Sequence, residues 1–201
     1  MKLSTFLSHH WRGIKRNEQG VSAVEFGLIF TPFFMFLVGI FDLGHMYYGN
    51  AVLVGAVNDA ARSSTLERNN QDQTAVDERV RQRILAVNPS AEVTFERRSY
   101  KHFSNANSPE KFTDSNRNGQ CDAGEQFEDA NGNTEWDADA GSAGQGGASD
   151  AVIYTVRVRF PRFFPLTAFI GGDKVQLMAA QTVLRNQPFA AQAQPLTGTC
   201  T

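Results

Sequence analysis

From Gly27 to Phe41 the chain carries no charge, and the apolar run Gly-Leu-Ile-Phe-Thr-Pro-Phe-Phe-Met-Phe-Leu-Val-Gly-Ile-Phe is too continuous for a surface helix. It is shorter than the roughly 20 residues that span a bilayer, but counting from Val21, with Glu25 near the interface, supplies the missing length. Tyr47 and Tyr48 suit the far boundary, where aromatic rings are favoured. Pro32 bends such a helix rather than ending it. Beyond Asp42, Leu43, Met46, Tyr47, Leu53, Val54, Val57, Ala60 and Ala61 recur at helical spacing, so the helix extends outward with one face packed on a domain. The polar stretch from Asn69 to Gln73 breaks it. Thr74, with Asp77 three residues later, caps a second helix whose inner stripe is Val76, Val80, Ile84 and Val87, and Asn88-Pro89 stops it. Alternation then predicts strands around Val93 and Phe95, from Val152 to Phe160, and from Lys174 to Arg185. The connector from Pro161 to Ile170 is apolar, and the sequence leaves open whether it covers the sheet or presses on a membrane surface. After Pro188 the tail predicts a loose end.

A length of 201 residues with 41% hydrophobic content suits one modest domain plus a membrane segment. Before Gly20, Lys2, Arg12, Lys15 and Arg16 face a single acid, Glu18, which keeps that end in the cytoplasm and sends the C-terminal portion outward. An ordinary signal peptide is cut after its apolar run at a small-x-small site; here the plausible cut lies before the run. A buried core helix would need a partner of similar apolarity, and the sequence offers none.

Glu25 is the unusual residue, because an ionised side chain at a helix centre costs roughly 2.5–3.5 kcal/mol even on insertion scales. A cut after Gly20 would create an amino terminus at Val21 that Glu25 of an assembled neighbour could neutralise. The pattern Gly20, Val21-Ser22-Ala23-Val24-Glu25-Phe26 resembles the processing site of type IV pilins, and in detail that of TadE-like pseudopilins of the tight-adherence (Flp/Tad) pilus. Asp42-Leu43-Gly44, Asn58-Asp59-Ala60-Ala61-Arg62 and the closing Val183 to Phe189 also resemble that family, although Gln187 stands where Glu is usual. The resemblance implies cleavage between Gly20 and Val21 by a prepilin peptidase, with Glu25 serving recognition and docking and Phe26 completing the motif. It also implies an inner-membrane single-pass protein with a periplasmic C-terminal domain, in or at the tip of a pilus, whose partners are other pilin subunits. The expected fold is α+β: a long N-terminal transmembrane helix packed on a small antiparallel sheet. In segments, residues 1–20 form the leader, 21–48 the transmembrane helix and 49–201 the exported domain, with an insert at 104–149.

That insert is acidic. Asp114-x-Asn116-x-Asn118-Gly119-Gln120-Cys121-Asp122-Ala123-Gly124-Glu125 fits the twelve-residue calcium loop: side-chain oxygens at positions one, three, five and nine, glycine at six, the Gln120 carbonyl at seven and a bidentate Glu at twelve. A second loop offers Asp129, Asn131, Asn133, Glu135 and Asp137, but Thr134 replaces the glycine and Ala140 stands at twelve, leaving Asp139 or Glu128 to substitute. The bland alternative is a solvated Asp/Asn/Gly loop. Calcium is thus the expected cofactor, and Gly141 to Gly147 reads as a flexible linker with no phosphate-loop signature.

Cys121 and Cys200 both lie on the outer side, where a disulfide is permitted but not required. Position eight of paired calcium loops faces the partner loop, which would set Cys121 beside Trp136 in competition with that bridge. His9, His10, His45 and His102 lack ligand-spaced neighbours, and no nucleophile elbow is present, so no enzyme is expected. Arg97-Arg98-Ser99-Tyr100-Lys101 reads as a strand end rather than a nucleic-acid site. Two function classes follow: a pilus assembly protein, or a bitopic calcium-dependent adhesion or sensing module with an uncleaved anchor. Only the first has a use for Gly20 and Glu25 at this separation.

Overall fold

A computed structural model describes residues 19–66, 73–164, 171–186 and 191–201. The leader up to residue 18, the polar break at 67–72 and the closing Gln187-Pro188-Phe189 lie outside the described residues. Helix α1 spans Gln19–Leu66 without interruption, about 72 Å at 1.5 Å per residue. Pro32 sits inside it, and the Thr31 hydroxyl donates to the Gly27 carbonyl at 2.8 Å just before that proline. Among the described residues α1 is the one helix long and apolar enough to cross a membrane.

Helix α2, Gln73–Val87, buries Val76, Val80 and Ile84, three of the four residues of its predicted stripe. Its exit is built by Asn88, whose side-chain oxygen accepts from the Ser90 N–H and hydroxyl at 3.2 and 2.8 Å. Asp77, read from the sequence as the capping partner of Thr74, sends its carboxylate toward the sheet. Its two oxygens accept from Arg97 at 2.6 and 2.9 Å, and the Tyr154 hydroxyl donates to one of them at 2.6 Å. Burial and that carboxylate hold the Tyr154 phenol well above its ordinary value.

The strands are β1 (Glu92–Tyr100), β2 (Gln126–Asp129), β3 (Ser142–Ala143), β4 (Ala151–Pro161), β5 (Val175–Arg185) and β6 (Leu196–Thr199). The main sheet has the order β3-β1-β4-β5, and every pairing is antiparallel. Period-two alternation turns Val152, Tyr154, Val156, Val158 and Phe160 of β4 inward. They meet Leu53, Ala56, Val57 and Ala60 of α1 and the α2 stripe, so both helices cover one face. The fold is α+β, as expected, with the outer half of α1 packed and its inner half bare: Val24, Phe26, Leu28 and Ile29 are each at least 66% exposed.

Two expectations fail for one reason. The C-terminal tail is not loose over residues 196–200, because β6 pairs with β2 and Cys200 is disulfide-bonded to Cys121, Cα to Cα 5.8 Å. The stretch from Gly141 to Gly147 is not a free linker either. Its β3 residues pair with β1, and Asn186 donates to the carbonyls of Gln145 and Gly147, each at 2.7 Å. Both segments are held by partners distant in the chain, which local composition does not reveal.

Candidate functional site

Two regions carry the residues singled out by chemistry. The first is the start of α1. Gly20, Val21, Glu25 and Phe26 all lie on the helix surface, exposed. Phe26, Phe30 and Phe34, one turn apart on one face, stack at 5.3 and 5.6 Å between ring centres. Such a ladder of rings beside one carboxylate, free of tertiary cover, is a surface for lipid or for another helix.

The second region is the insert, where hydrogen bonds rather than apolar packing shape the chain. In the first loop the Asp114 carboxylate accepts from the N–H groups of Asn118 and Gly119, at 3.1 and 2.9 Å. Asn116 accepts from Asn118 N–H at 3.0 Å, and Asn118 from Gln120 N–H at 2.8 Å. The side-chain amides of Asn116 and Asn118 both donate to Asp122, at 2.7 and 2.6 Å. Glu125 closes the ring, accepting from Ser115 N–H at 2.7 Å and Asp122 N–H at 3.1 Å. These bonds link the side chains of Asp114, Asn116, Asn118, Asp122 and Glu125 within one loop.

The second loop repeats the scheme position by position. Asp129 accepts from Asn133 and Thr134 N–H at 3.2 and 3.0 Å, Asn131 from Asn133 N–H at 3.0 Å, and Asn133 from Glu135 N–H at 2.8 Å. The amides of Asn131 and Asn133 donate to Asp137 at 2.6 and 2.7 Å. Backbone φ agrees as well: Arg117 and Gly119 at positions four and six have +62° and +77°, Gly132 and Thr134 have +80° and +69°. Thr134 thus adopts the left-handed conformation that glycine holds in the first loop, at a cost of order 1–3 kcal/mol.

The closing carboxylate of this second loop is one that sequence reasoning missed. Glu110 accepts from Ala130 N–H at 2.8 Å and Asp137 N–H at 3.1 Å, the same two positions that Glu125 satisfies in the first loop. Neither expected substitute is used this way. Asp139 pairs with Arg98 and accepts from the Tyr100 hydroxyl at 3.3 Å, and Glu128 lies in β2 with its N–H on the Lys111 carbonyl. Glu110 comes from before both loops, so no twelve-residue template finds it; an unassigned acid flanking an incomplete loop was the available signal. It is 2% exposed. Burial pushes its carboxyl up, backbone donors from Ala130, Asp137 and Asn131 pull it down, and the Asp129 charge raises it again.

The insert is tied to the C-terminus through the second half of the first loop. Position eight, Cys121, is bonded to Cys200, and the Cys200 backbone exchanges hydrogen bonds with Gly124 and Glu125 at 3.0 and 2.8 Å. Gly198 is required by close approach, since a Cβ there would lie 2.3 Å from the Phe127 ring. The disulfide takes the place of the expected Cys121–Trp136 packing. The Trp136 indole donates to the Glu110 carbonyl at 2.9 Å and meets the Phe112 ring edge-on at 5.7 Å.

Among the described residues no three His, Cys, Asp or Glu side chains gather as a metal cluster. The basic stretch from Arg97 to Lys101 is absorbed by the fold through the Asp77 and Asp139 pairs.

Residues 20–62 match the family model of TadE-like proteins, the family that the motif from Gly20 to Phe26 resembles. The match covers the bare and the packed parts of α1 and points to Tad pilus assembly. No curated protein and no solved structure matches the chain.

Proposed function

We propose that this chain is a pseudopilin or minor pilin of a tight-adherence pilus, cut after Gly20 by a prepilin peptidase and built into an assembly through the exposed half of α1. The family match over residues 20–62, on a helix whose first turns hold a carboxylate and no tertiary cover, carries this reading. The new ammonium at Val21 would meet Glu25 of a neighbour inside the helix bundle, where each charge satisfies the other. Leaving one of them buried alone costs several kcal/mol. Glu25→Ala therefore abolishes or sharply reduces pili while leaving membrane insertion intact, since loss of a charge eases insertion. Piliation by electron microscopy, beside membrane fractionation, reads both; normal pili in the variant contradict the docking role.

The exported domain is, in the same proposal, stabilised by calcium. Asp114, Asn116, Asn118, the Gln120 carbonyl, Asp122 and Glu125 would hold one ion. Asp129, Asn131, Asn133, the Glu135 carbonyl, Asp137 and Glu110 would hold another. The donors are hard oxygens in the number that calcium takes. The Asn amides already meet the central Asp122 and Asp137 carboxylates, and a half-turn exchanges amide nitrogen for oxygen. Each ion would offset the repulsion of carboxylates gathered without a cation.

A further inference from the structure

The sequence leaves the connector after β4 undecided between sheet and membrane, and the structure gives its first residues a height. Val21 to Phe41 rises about 30 Å along α1, the thickness of a hydrocarbon core. Phe41 is the last residue before Asp42, and it is 63% exposed. The carboxylate of Asp42 pairs with Arg162 at 2.8 Å, both side chains largely covered, which brings the end of β4 down beside the end of the apolar run. The two residues that follow, Phe163 and Phe164, are 55% and 44% exposed. They are not loosely placed. The Phe164 ring meets Phe41 edge-on at 6.5 Å, and Phe163 meets His45 at 4.7 Å. The Arg162 N–H donates to the Lys174 carbonyl at 3.0 Å, closing the β4–β5 ladder just above them.

We infer that the end of β4, through Phe163 and Phe164, lies in the interfacial zone of the outer leaflet, so that the exported domain rests on the bilayer. The inference depends on α1 spanning the membrane. Given that, whatever surrounds Phe41 also surrounds Phe164, because the two rings form one continuous apolar surface. The Asp42–Arg162 pair supports the same placement: it neutralises Asp42 within the protein. Tyr47, about 9 Å further along the helix, then falls among the headgroups. Phenyl rings at this height lose contact with water and carry no polar side-chain atom of their own. The domain is held at two points, the helix and the end of β4, and its tilt against the membrane is fixed.

The test is depth-dependent quenching in the full chain, reconstituted in phosphatidylcholine/phosphatidylglycerol vesicles with or without lipid brominated near the upper acyl chain. Trp11→Phe removes the leader indole, and the Trp136 signal of this parent is subtracted. Phe164→Trp is expected to be quenched at least half as strongly as Phe41→Trp, while Val183→Trp, far along β5, is not quenched. Quenching at position 164 no greater than at 183 overturns the inference. So does protection at 164 that appears only as the protein-to-lipid ratio is raised, which would mean that a second copy covers the rings. If Phe41→Trp itself is not quenched, it is the spanning reading of α1 that fails.

Discussion

The inner half of α1 and the insert solve opposite problems. The helix is apolar, bare and satisfied in its backbone, so its free energy is unspent until lipid or another subunit covers Phe26, Phe30 and Phe34. The insert holds little apolar surface and spends its polar groups on itself. Asp114, Glu125, Asp129 and Glu110 each accept two or more backbone N–H groups, and a disulfide clamps the whole to the C-terminus. One region is built to find partners outside the chain, and the other is closed around two centres of negative charge. A change in the insert should therefore move the stability of the exported domain and leave membrane insertion alone, whereas a change at Glu25 should move assembly and leave both of those alone.

The largest such effect on stability belongs to the disulfide. Cys121 and Cys200 are separated by 79 residues, and removing a crosslink over a loop of that order typically costs about 2–4 kcal/mol. The double variant Cys121→Ser/Cys200→Ser should melt lower by roughly 2–4 °C per kcal/mol lost. Differential scanning calorimetry of the detergent-solubilised protein measures it. An unchanged melting temperature would mean that β6 holds the tail without the bridge.

Calcium sharpens the comparison next. At 100 times the dissociation constant each occupied loop adds about 2.7 kcal/mol, with affinities of the extracellular kind, roughly 10⁻⁴–10⁻³ M. Glu125→Gln should remove the contribution of the first loop, and Glu110→Gln that of the second, each leaving the other. Thermal melts in calcium and in chelator separate the two. A calcium shift that survives Glu110→Gln in full would return the second loop to an ordinary acidic turn.

Smaller, and signed, is the effect of pH. The Glu110 carboxyl is raised above 4.5 in the folded protein, so the folded state binds its proton more tightly than the unfolded one. The cost of its charge is present above the folded value and is lost as pH falls toward 4.5. In chelator the native chain should therefore gain on Glu110→Gln as the medium is acidified. In excess calcium the sign reverses, because protons displace the ion that only the native chain holds there. Parallel pH profiles for the two proteins in both media contradict the assignment.

Much of this was legible in the sequence for physical reasons that differ by region. The period of 3.6 from Leu43 to Ala61 and the alternation from Val152 to Phe160 are local consequences of burying one face, and the structure follows them. The first loop is legible because its hydrogen-bonded side chains fall within twelve consecutive residues. Glu110, β6 and the anchoring of Gly141 to Gly147 are not, because each depends on a partner supplied from a distant part of the chain. The place of Asp77 in the core was not legible for the same reason: the guanidinium and phenol that meet its carboxylate come from β1 and β4.

The central claim is that α1 begins at Val21 in the working protein. Intact-mass measurement of the protein extracted from membranes of cells with an active prepilin peptidase tests this most directly. The account predicts a mass reduced by that of residues 1–20, with a sequence beginning Val-Ser-Ala-Val-Glu. A species that keeps Met1 and the leader would contradict it, and would leave α1 as an uncleaved anchor.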